Sequence, residues 1–422
     1  MFIMSSLFEK YLENYVKIII KKGLNIQKGQ RLLIANPFSL GVHLELASFV
    51  QLLVKEAYIN GARFVEVLWN DDGIKLSRFK YASPESFEEY SVWRVKAMEE
   101  FFEKGDSILF IYTEDPDVFN DVNPELITIA QQNMFKNINP VLDKITKNIS
   151  NWIMVTAPIT GWANKLFPEV PQTERKNKFW DILFELCRIK NDDPIKIWED
   201  HVKQLNNRSA YLNDKQYIKL KFHAPGTDLK VGLPEGHIWQ SGSEISRNGI
   251  EFIANIPTEE IFTLPHKDKV EGFVSSTKPL YFGGGIAEDF KLTFSEGKIK
   301  EVSAKKGELF LKNLIEQDEG ASRIGEIALV PNSSPISHTN RLFYNILIDE
   351  NAANHIALGF AYRSSLRNGD SLSDKEFSEK GGNLSGIHID FMIGSAEMNV
   401  DGVMKDGTVE AVMRNGEWTF EI

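Results

Sequence analysis

The 422-residue chain contains one cysteine, Cys187, which excludes an intrachain disulfide and a thiolate-bound zinc cluster. Cys187 ends the largely apolar stretch Trp180-Asp181-Ile182-Leu183-Phe184-Glu185-Leu186 and reads as a small buried residue, not a nucleophile. Positive charge is scarce: 48 Lys and Arg against 59 Asp and Glu leave a net charge of −11. That balance argues against a nucleic-acid partner, because phosphate recognition needs clustered cations. No run approaches the ~20 consecutive apolar residues of a membrane span. The apolar start Met1–Met4 is interrupted at once by Ser5, Ser6, Glu9 and Lys10, unlike a secretory leader. Nor is there a P-loop, or a G-x-G-x-x-G after the first strand pattern. The expectation is a cytoplasmic globular protein with no nucleic acid or membrane to bind.

Length favours two domains, since one hydrophobic core seldom serves 422 residues. Helical periodicity marks Phe8–Lys22, with Leu12, Tyr15, Val16, Ile19 and Ile20 on one stripe. A buried strand is predicted over Arg31–Asn36, a helix over Val42–Asn60 with Gly61 at its C-cap, and a strand over Ala62–Trp69. The series continues with helix Ser91–Lys104, strand Ser107–Tyr112, helix Pro124–Lys136 and strand Trp152–Pro158. Such alternation predicts a Rossmann-like α/β domain with a mostly parallel sheet. Without a phosphate-binding loop, a scaffold or dimerisation role fits it better than nucleotide binding.

A charged helical stretch over 175–206 leads to a change of pattern near Tyr217. Beyond it, short alternating runs are joined by Glu296-Gly297, Asp401-Gly402, Asp406-Gly407 and Asn415-Gly416, the dipeptides of tight hairpins. Met404–Trp418 reads as a β-meander. The boundary is placed near residue 210, giving an α/β scaffold over 1–210 and a β-rich α+β domain over 211–422. Gly283-Gly284-Gly285 has no helix after it and reads as a turn, not a phosphate cradle.

Five of the eight histidines lie between His237 and His388. In Asn255-Ile256-Pro257-Thr258-Glu259-Glu260, two carboxylates follow a Pro-Thr turn, which alone would read as a solvated surface turn. Glu326, in Ile324-Gly325-Glu326-Ile327-Ala328-Leu329-Val330, runs directly into an apolar strand pattern, and a buried charge needs a partner or a metal. Asp349-Glu350-Asn351-Ala352-Ala353-Asn354-His355 reads as a strand end running into a small-residue helix. A helix over 354–362 would set His355 and Tyr362 two turns apart on one face. His388 and Asp390, at i and i+2 on a strand pattern, share a face. That pair serves equally as cation ligands or as a structural hydrogen-bonded pair. His237 and His266 are read as structural. Together the segments offer Glu260, Glu326, Glu350, His355, His388 and Asp390, a carboxylate-rich set suited to two divalent ions, since one catalytic zinc needs three protein ligands.

At these four segments the sequence resembles the aminopeptidase T family of thermophilic metallopeptidases. The matching blocks are Asn255-Ile256-Pro257-Thr258-Glu259-Glu260, Gly325-Glu326-Ile327-Ala328-Leu329-Val330, Asp349-Glu350-Asn351-Ala352-Ala353-Asn354-His355-Ile356-Ala357 and His388-Ile389-Asp390. The resemblance implies that the six residues above are metal ligands, with Glu260 and not Glu259 taken from its pair, and that Tyr362 is catalytic. It implies that the second domain is a metallopeptidase domain. It also implies a homodimer that removes N-terminal residues from peptides bearing a free N-terminus.

On this reading amide hydrolysis is assisted by two divalent ions (zinc, cobalt, manganese or magnesium), with Glu326 bridging them, Tyr362 donating to the developing oxyanion and Glu259 a candidate proton acceptor. The competing readings are a dinuclear phosphoesterase, disfavoured by the lack of an Arg or Lys pair beside the ligands, and a non-enzymatic metal-binding scaffold.

Overall fold

The computed structural model describes residues 2–282 and 285–421, with side chains from Ser6 onward. Gly283 and Gly284 of the glycine run lie outside the described residues, as do Met1 and the side chains up to Ser5. The chain forms two compact units, Met1–Asp200 with Ser243–Pro257, and His201–Gly242 with Thr258–Ile422. Among the described residues no helix is long and apolar enough to cross a membrane.

The first unit is mixed α/β. Strands β1 (Arg31–Ala35), β2 (Phe64–Val67), β3 (Ser107–Ile111), β4 (Trp152–Val155) and β5 (Asn255–Ile256) form a parallel sheet in the order β5-β4-β3-β1-β2. Every residue of β3 is buried, which explains the apolar run Ile108–Ile111 after Ser107: a strand covered on both faces has no polar side to alternate with. The helices differ from their predicted extents for local reasons. The predicted 42–60 helix starts only at Ala47, because the His43 side chain accepts from the Glu45 N–H at 3.2 Å and a short 3-10 turn intervenes. The helix predicted to end at Lys136 runs over Pro124–Thr146, where buried Ile138, Val141 and Ile145 sustain the period past Pro140. The first helix, Phe2–Lys17, passes into a π-helical turn over Ile18–Gly23.

The second unit is built on two antiparallel sheets. The larger, nine-stranded sheet runs from Leu280–Phe282 to Glu417–Trp418. Glu296-Gly297 and Asn415-Gly416 each have positive φ at both residues, the backbone that favours a tight hairpin with right-handed twist. Asp401-Gly402 is not a turn. It lies within the strand Asn399–Val403, where a Cβ on Gly402 would press into the ring of Tyr217.

The smaller sheet consists of β6 (Ile261–Thr263), β7 (Ile324–Leu329), β8 (His355–Gly359) and β9 (His388–Met392), in that order. Ile261, Ile327, Leu329, Ile356, Leu358 and Phe391 point from one face into the unit's core. The helix predicted over 354–362 does not form: residues 355–359 are the buried third strand of this sheet.

Candidate metal centre

The other face of the small sheet gathers the polar residues, and the strand register places them. Phe262 lies opposite Ala328, which lies opposite His355, which lies opposite Met392. One step along, Glu326, Ala357 and Asp390 form a row across three strands, and beyond it Gly359 pairs with His388. Directly opposed residues share a face, as do residues two apart. Glu326, His355, His388 and Asp390 therefore project from one face, with only Ala328, Ala357 and Gly359 between them. A bulge at Gly325 sets this register, inserting one extra residue between Ile324 and Glu326. A side chain at Gly325 would collide with the carbonyl oxygens of Gly359 and Phe360.

Among the described residues two triplets of candidate ligand atoms result, each lying within 4.8 Å: Glu260, Glu326 and His355, and Glu326, His388 and Asp390. Glu326 belongs to both. His355 Nε2 is 3.0 Å from Glu260 Oε2 and 3.7 Å from Glu326 Oε1, while His388 Nε2 is 3.5 Å from both Glu326 Oε2 and Asp390 Oδ1. Each imidazole donates its Nδ1–H to a backbone carbonyl, His355 to Ala353 at 3.2 Å and His388 to Phe360 at 2.8 Å. This leaves Nε2 turned toward the carboxylates, the arrangement of a metal-binding imidazole.

Glu350 enters neither triplet. It sits on a 3-10 turn just before β8, and its carboxyl senses Glu260, Asp390, His355 and Glu326. Tyr362 lies beyond β8, before the turn Arg363–Ser365, with its ring 5.0 Å from that of His388. His355 and Tyr362 thus approach the same centre from a strand and a loop, not from one helix face. Glu259 is buried; its N–H donates to Asn351 Oδ1 at 2.7 Å and its carboxylate lies 3.8 Å from His201 Nε2. His237 and His266 stand outside both triplets.

The electrostatics are those of a crowded, dry cluster. Burial lifts Glu260 above the usual carboxylate range despite the opposing pull of His355, and burial together with repulsion from Glu260 and Asp390 lifts Glu350 further. Burial would lower both imidazoles, but the carboxylates outweigh it. Glu260 and Glu326 raise His355, and Asp390 and Glu326 raise His388, each well above its ordinary value. Burial would raise Asp390, yet His388 and His355 hold it below its normal value.

Even with both imidazoles protonated, four carboxylates face two cations, an imbalance that a buried site tolerates poorly. Glu260 Oε2, His355 Nε2 and Asp390 Oδ1 are moreover buried without hydrogen-bond geometry to any described residue. Orphaned acceptors and imidazole nitrogens converging on shared space are what bound cations would satisfy, so the residues fit a divalent-metal site.

Two features of the centre were absent from the sequence reading. Asn351, fully buried, accepts from Glu259 N–H and donates to the Leu347 carbonyl at 3.1 Å and to Glu350 Oε1 at 3.4 Å. It therefore ties the segment carrying Glu260 to the turn carrying Glu350. Gly325 fixes the bulge. A polar residue among alanines and a glycine before a glutamate carry no distinctive sequence signal.

Known proteins resemble the chain over nearly its whole length. Aminopeptidase 2 of Geobacillus stearothermophilus is 43% identical over 98% of this chain and 99% of its own, and aminopeptidase AmpS of Bacillus subtilis is 40% identical over the same shares. The structure of wild-type AmpT from Thermus thermophilus superimposes with a TM-score of 0.91 at 38% identity, covering 98% of this chain and all of that one. The thermophilic metalloprotease (M29) family matches residues 8–418, and the chain belongs to that family.

Proposed function

We propose that the protein is a metal-dependent aminopeptidase that hydrolyses the N-terminal peptide bond of peptides at a site for two divalent ions. The observation that carries this reading is the position of Glu326 in both triplets, one carboxylate shared by two sets of buried ligand atoms. Charge supports the count: two divalent cations, with neutral imidazoles, balance four ionised carboxylates. Glu260, Glu326 and His355 would hold one ion and Glu326, His388 and Asp390 the other, with Glu350 completing the set. When bound, the ions supply Lewis acidity and a nucleophilic water at neutral pH.

The chain's own residues orient and exclude. The Nδ1–H bonds to Ala353 and Phe360 hold both imidazoles in the tautomer that presents Nε2. Burial and the surrounding carboxylates, Glu326 first among them, raise the Tyr362 hydroxyl well above its ordinary value, so it stays protonated and can donate to a developing oxyanion. The carboxylate-rich face also suits the free α-ammonium group of a peptide N-terminus, which favours exopeptidase action. By its resemblance to the family, the protein would act as a cytoplasmic homodimer, with a Rossmann-like first unit as scaffold.

The test is hydrolysis of an unblocked aminoacyl amide by metal-stripped protein, with zinc, cobalt, manganese or magnesium added back singly. Activity should vanish on stripping, return with an ion, and be absent on the N-acetylated amide. Cleavage of a phosphate ester instead of the amide would reverse the assignment.

A further inference from the structure

Glu326, His355, His388 and Asp390 are placed by strand register, and Glu350 by the turn that opens β8. Glu260 is held differently. It ends the segment Thr258–Glu260, which precedes β6 and belongs to no strand or helix. All three residues of the segment are buried. The Glu259 N–H donates to Asn351, and on the other side the Thr258 carbonyl accepts from His201 Nε2 at 2.8 Å. A carbonyl can only accept, so that contact places the His201 proton on Nε2. The Glu259 carboxylate lies 3.8 Å from the same Nε2 and stands in neither ligand triplet.

His201 comes from the helix Pro194–Lys215, whose part from His201 onward belongs to the second unit. Arg208 is seven residues further, close to two turns, on the face that carries buried Leu205 and Leu212. Its half-buried guanidinium lies 5.8 Å from the centre of the Trp418 ring, and burial lowers its pKa against the pull of Glu259 and Glu417. Glu259 thus faces two basic side chains on one helix. That helix is fastened independently of them. Asn213 exchanges two hydrogen bonds with the Trp239 backbone, at 2.8 and 2.9 Å, and Asn206 accepts from Ser241 at 2.9 Å. Gln240, between those two residues, exchanges two backbone hydrogen bonds with Phe262 of β6.

We infer that His201 is a positioning residue for the metal centre: through the Thr258 carbonyl and the Glu259 carboxylate it sets Glu260, and with it the ion that Glu260 shares with Glu326 and His355. The inference rests on the two-ion reading and makes the two sites unequal in their dependence on this helix. A metal ligand must be held within about 0.5 Å of its place, and groups that orient ligands typically govern affinity by about 10–100-fold. Glu260 belongs to one triplet only, so the loss of His201 falls on one ion.

The experiment titrates metal-stripped wild type, His201→Ala, His201→Gln and Glu259→Gln with zinc by calorimetry, and follows leucinamide hydrolysis at limiting and saturating zinc. Wild type should bind two zinc ions per chain. His201→Ala should weaken one binding step about 10–100-fold and leave the other at its wild-type value. Turnover lost at limiting zinc should return at saturating zinc. His201→Gln keeps an N–H for the Thr258 carbonyl and should weaken that step less than alanine does. Glu259→Gln removes the charge beside His201 and Arg208 and should weaken the same step; these two variants carry the test should His201→Ala fail to fold. Equal weakening of both steps is the mark of a loosened fold and overturns the inference. A Glu259→Gln variant that binds both ions normally yet loses kcat about 10²–10⁴-fold would make Glu259 a proton acceptor and overturn its part in the anchor. Two unaltered steps in every variant remove the inference and leave the two-ion reading standing. Wild type that binds a single zinc ion removes that reading itself.

Discussion

Replacing Tyr362 with phenylalanine removes one oxygen and little else. The ring contacts to Phe262, Phe360 and His388, at 5.9, 5.6 and 5.0 Å, survive because phenylalanine keeps the ring. Among the described residues the hydroxyl has no hydrogen-bond partner to orphan, so the stability cost should stay below about 1 kcal/mol, the range of a mild substitution. Burial and the neighbouring carboxylates keep the hydroxyl protonated throughout the neutral range, so what is lost is a donor, not a nucleophile. One donor to a developing oxyanion contributes about 2.7–4 kcal/mol, so kcat should fall roughly 10²–10³-fold. KM should move little, because the interaction strengthens only in the transition state. The assay is steady-state hydrolysis of an aminoacyl amide by the metal-loaded variant, with metal stoichiometry measured on the same sample. An unchanged kcat would remove Tyr362 from the chemistry. A lost kcat accompanied by lost metal would make the tyrosine a support of the ligand cluster instead.

Two further outcomes follow from groups around the site and away from it. Asn351→Ala leaves the Glu259 N–H and the Leu347 carbonyl without their buried partner; stability should fall by about 1–3 kcal/mol, and calorimetric titration should give a metal affinity about 10–100-fold weaker. Lost stability at unchanged affinity would reduce Asn351 to a structural residue. His237 is buried, donates Nδ1–H to the Pro234 carbonyl at 3.0 Å and leaves Nε2 without a partner among the described residues, and burial lowers its pKa below 6.5. With the folded value depressed, the unfolded chain takes the proton first. The stability from neutral His237 is therefore complete above about pH 6.5 and is lost as pH falls below it. The drop in Tm from pH 7.5 to 5.5 should shrink in His237→Asn, which cannot titrate; an identical drop would exclude His237 as its source.

Local periodicity carried much of the secondary structure. The apolar runs before Asn36, Tyr112 and Pro158 are strands of one parallel sheet because a doubly covered strand must be apolar throughout. Period two also sufficed for His388 and Asp390, which share a strand face. It failed at 354–362, where Ala352, Ala353, Ala357 and Gly359 read as a helix. The structure uses small residues there for another purpose: Ala357 stands between Glu326 and Asp390, and Gly359 stands opposite His388 with φ of +108° against the Ile387 carbonyl. Bulk at either position would part the carboxylates from the imidazoles, so the local helix preference yields to the tertiary packing of a strand. The bulge at Gly325 and the return of Ser243–Pro257 to the first unit are likewise products of long-range pairing, which a local pattern does not encode.

The same long-range pairing explains why the protein concentrates its electrostatic cost on one sheet face. A row of Glu326, Ala357 and Asp390 across three strands brings like charges together with only a methyl group between them, which no fold does for stability. Among the described residues the imidazoles of His355 and His388 compensate these carboxylates, and their raised proton affinities reflect that strain. Cation binding at the proposed site would displace those protons, satisfy the orphaned atoms of Glu260, His355 and Asp390, and convert repulsion into attraction. Whatever binds the folded chain and not the unfolded one stabilises it by mass action. The back of the sheet, packed with Ile327, Ile356 and Phe391, holds the frame rigid while its front is under electrostatic strain. The packed core and the proposed metal chemistry thereby fall on opposite faces of the same four strands.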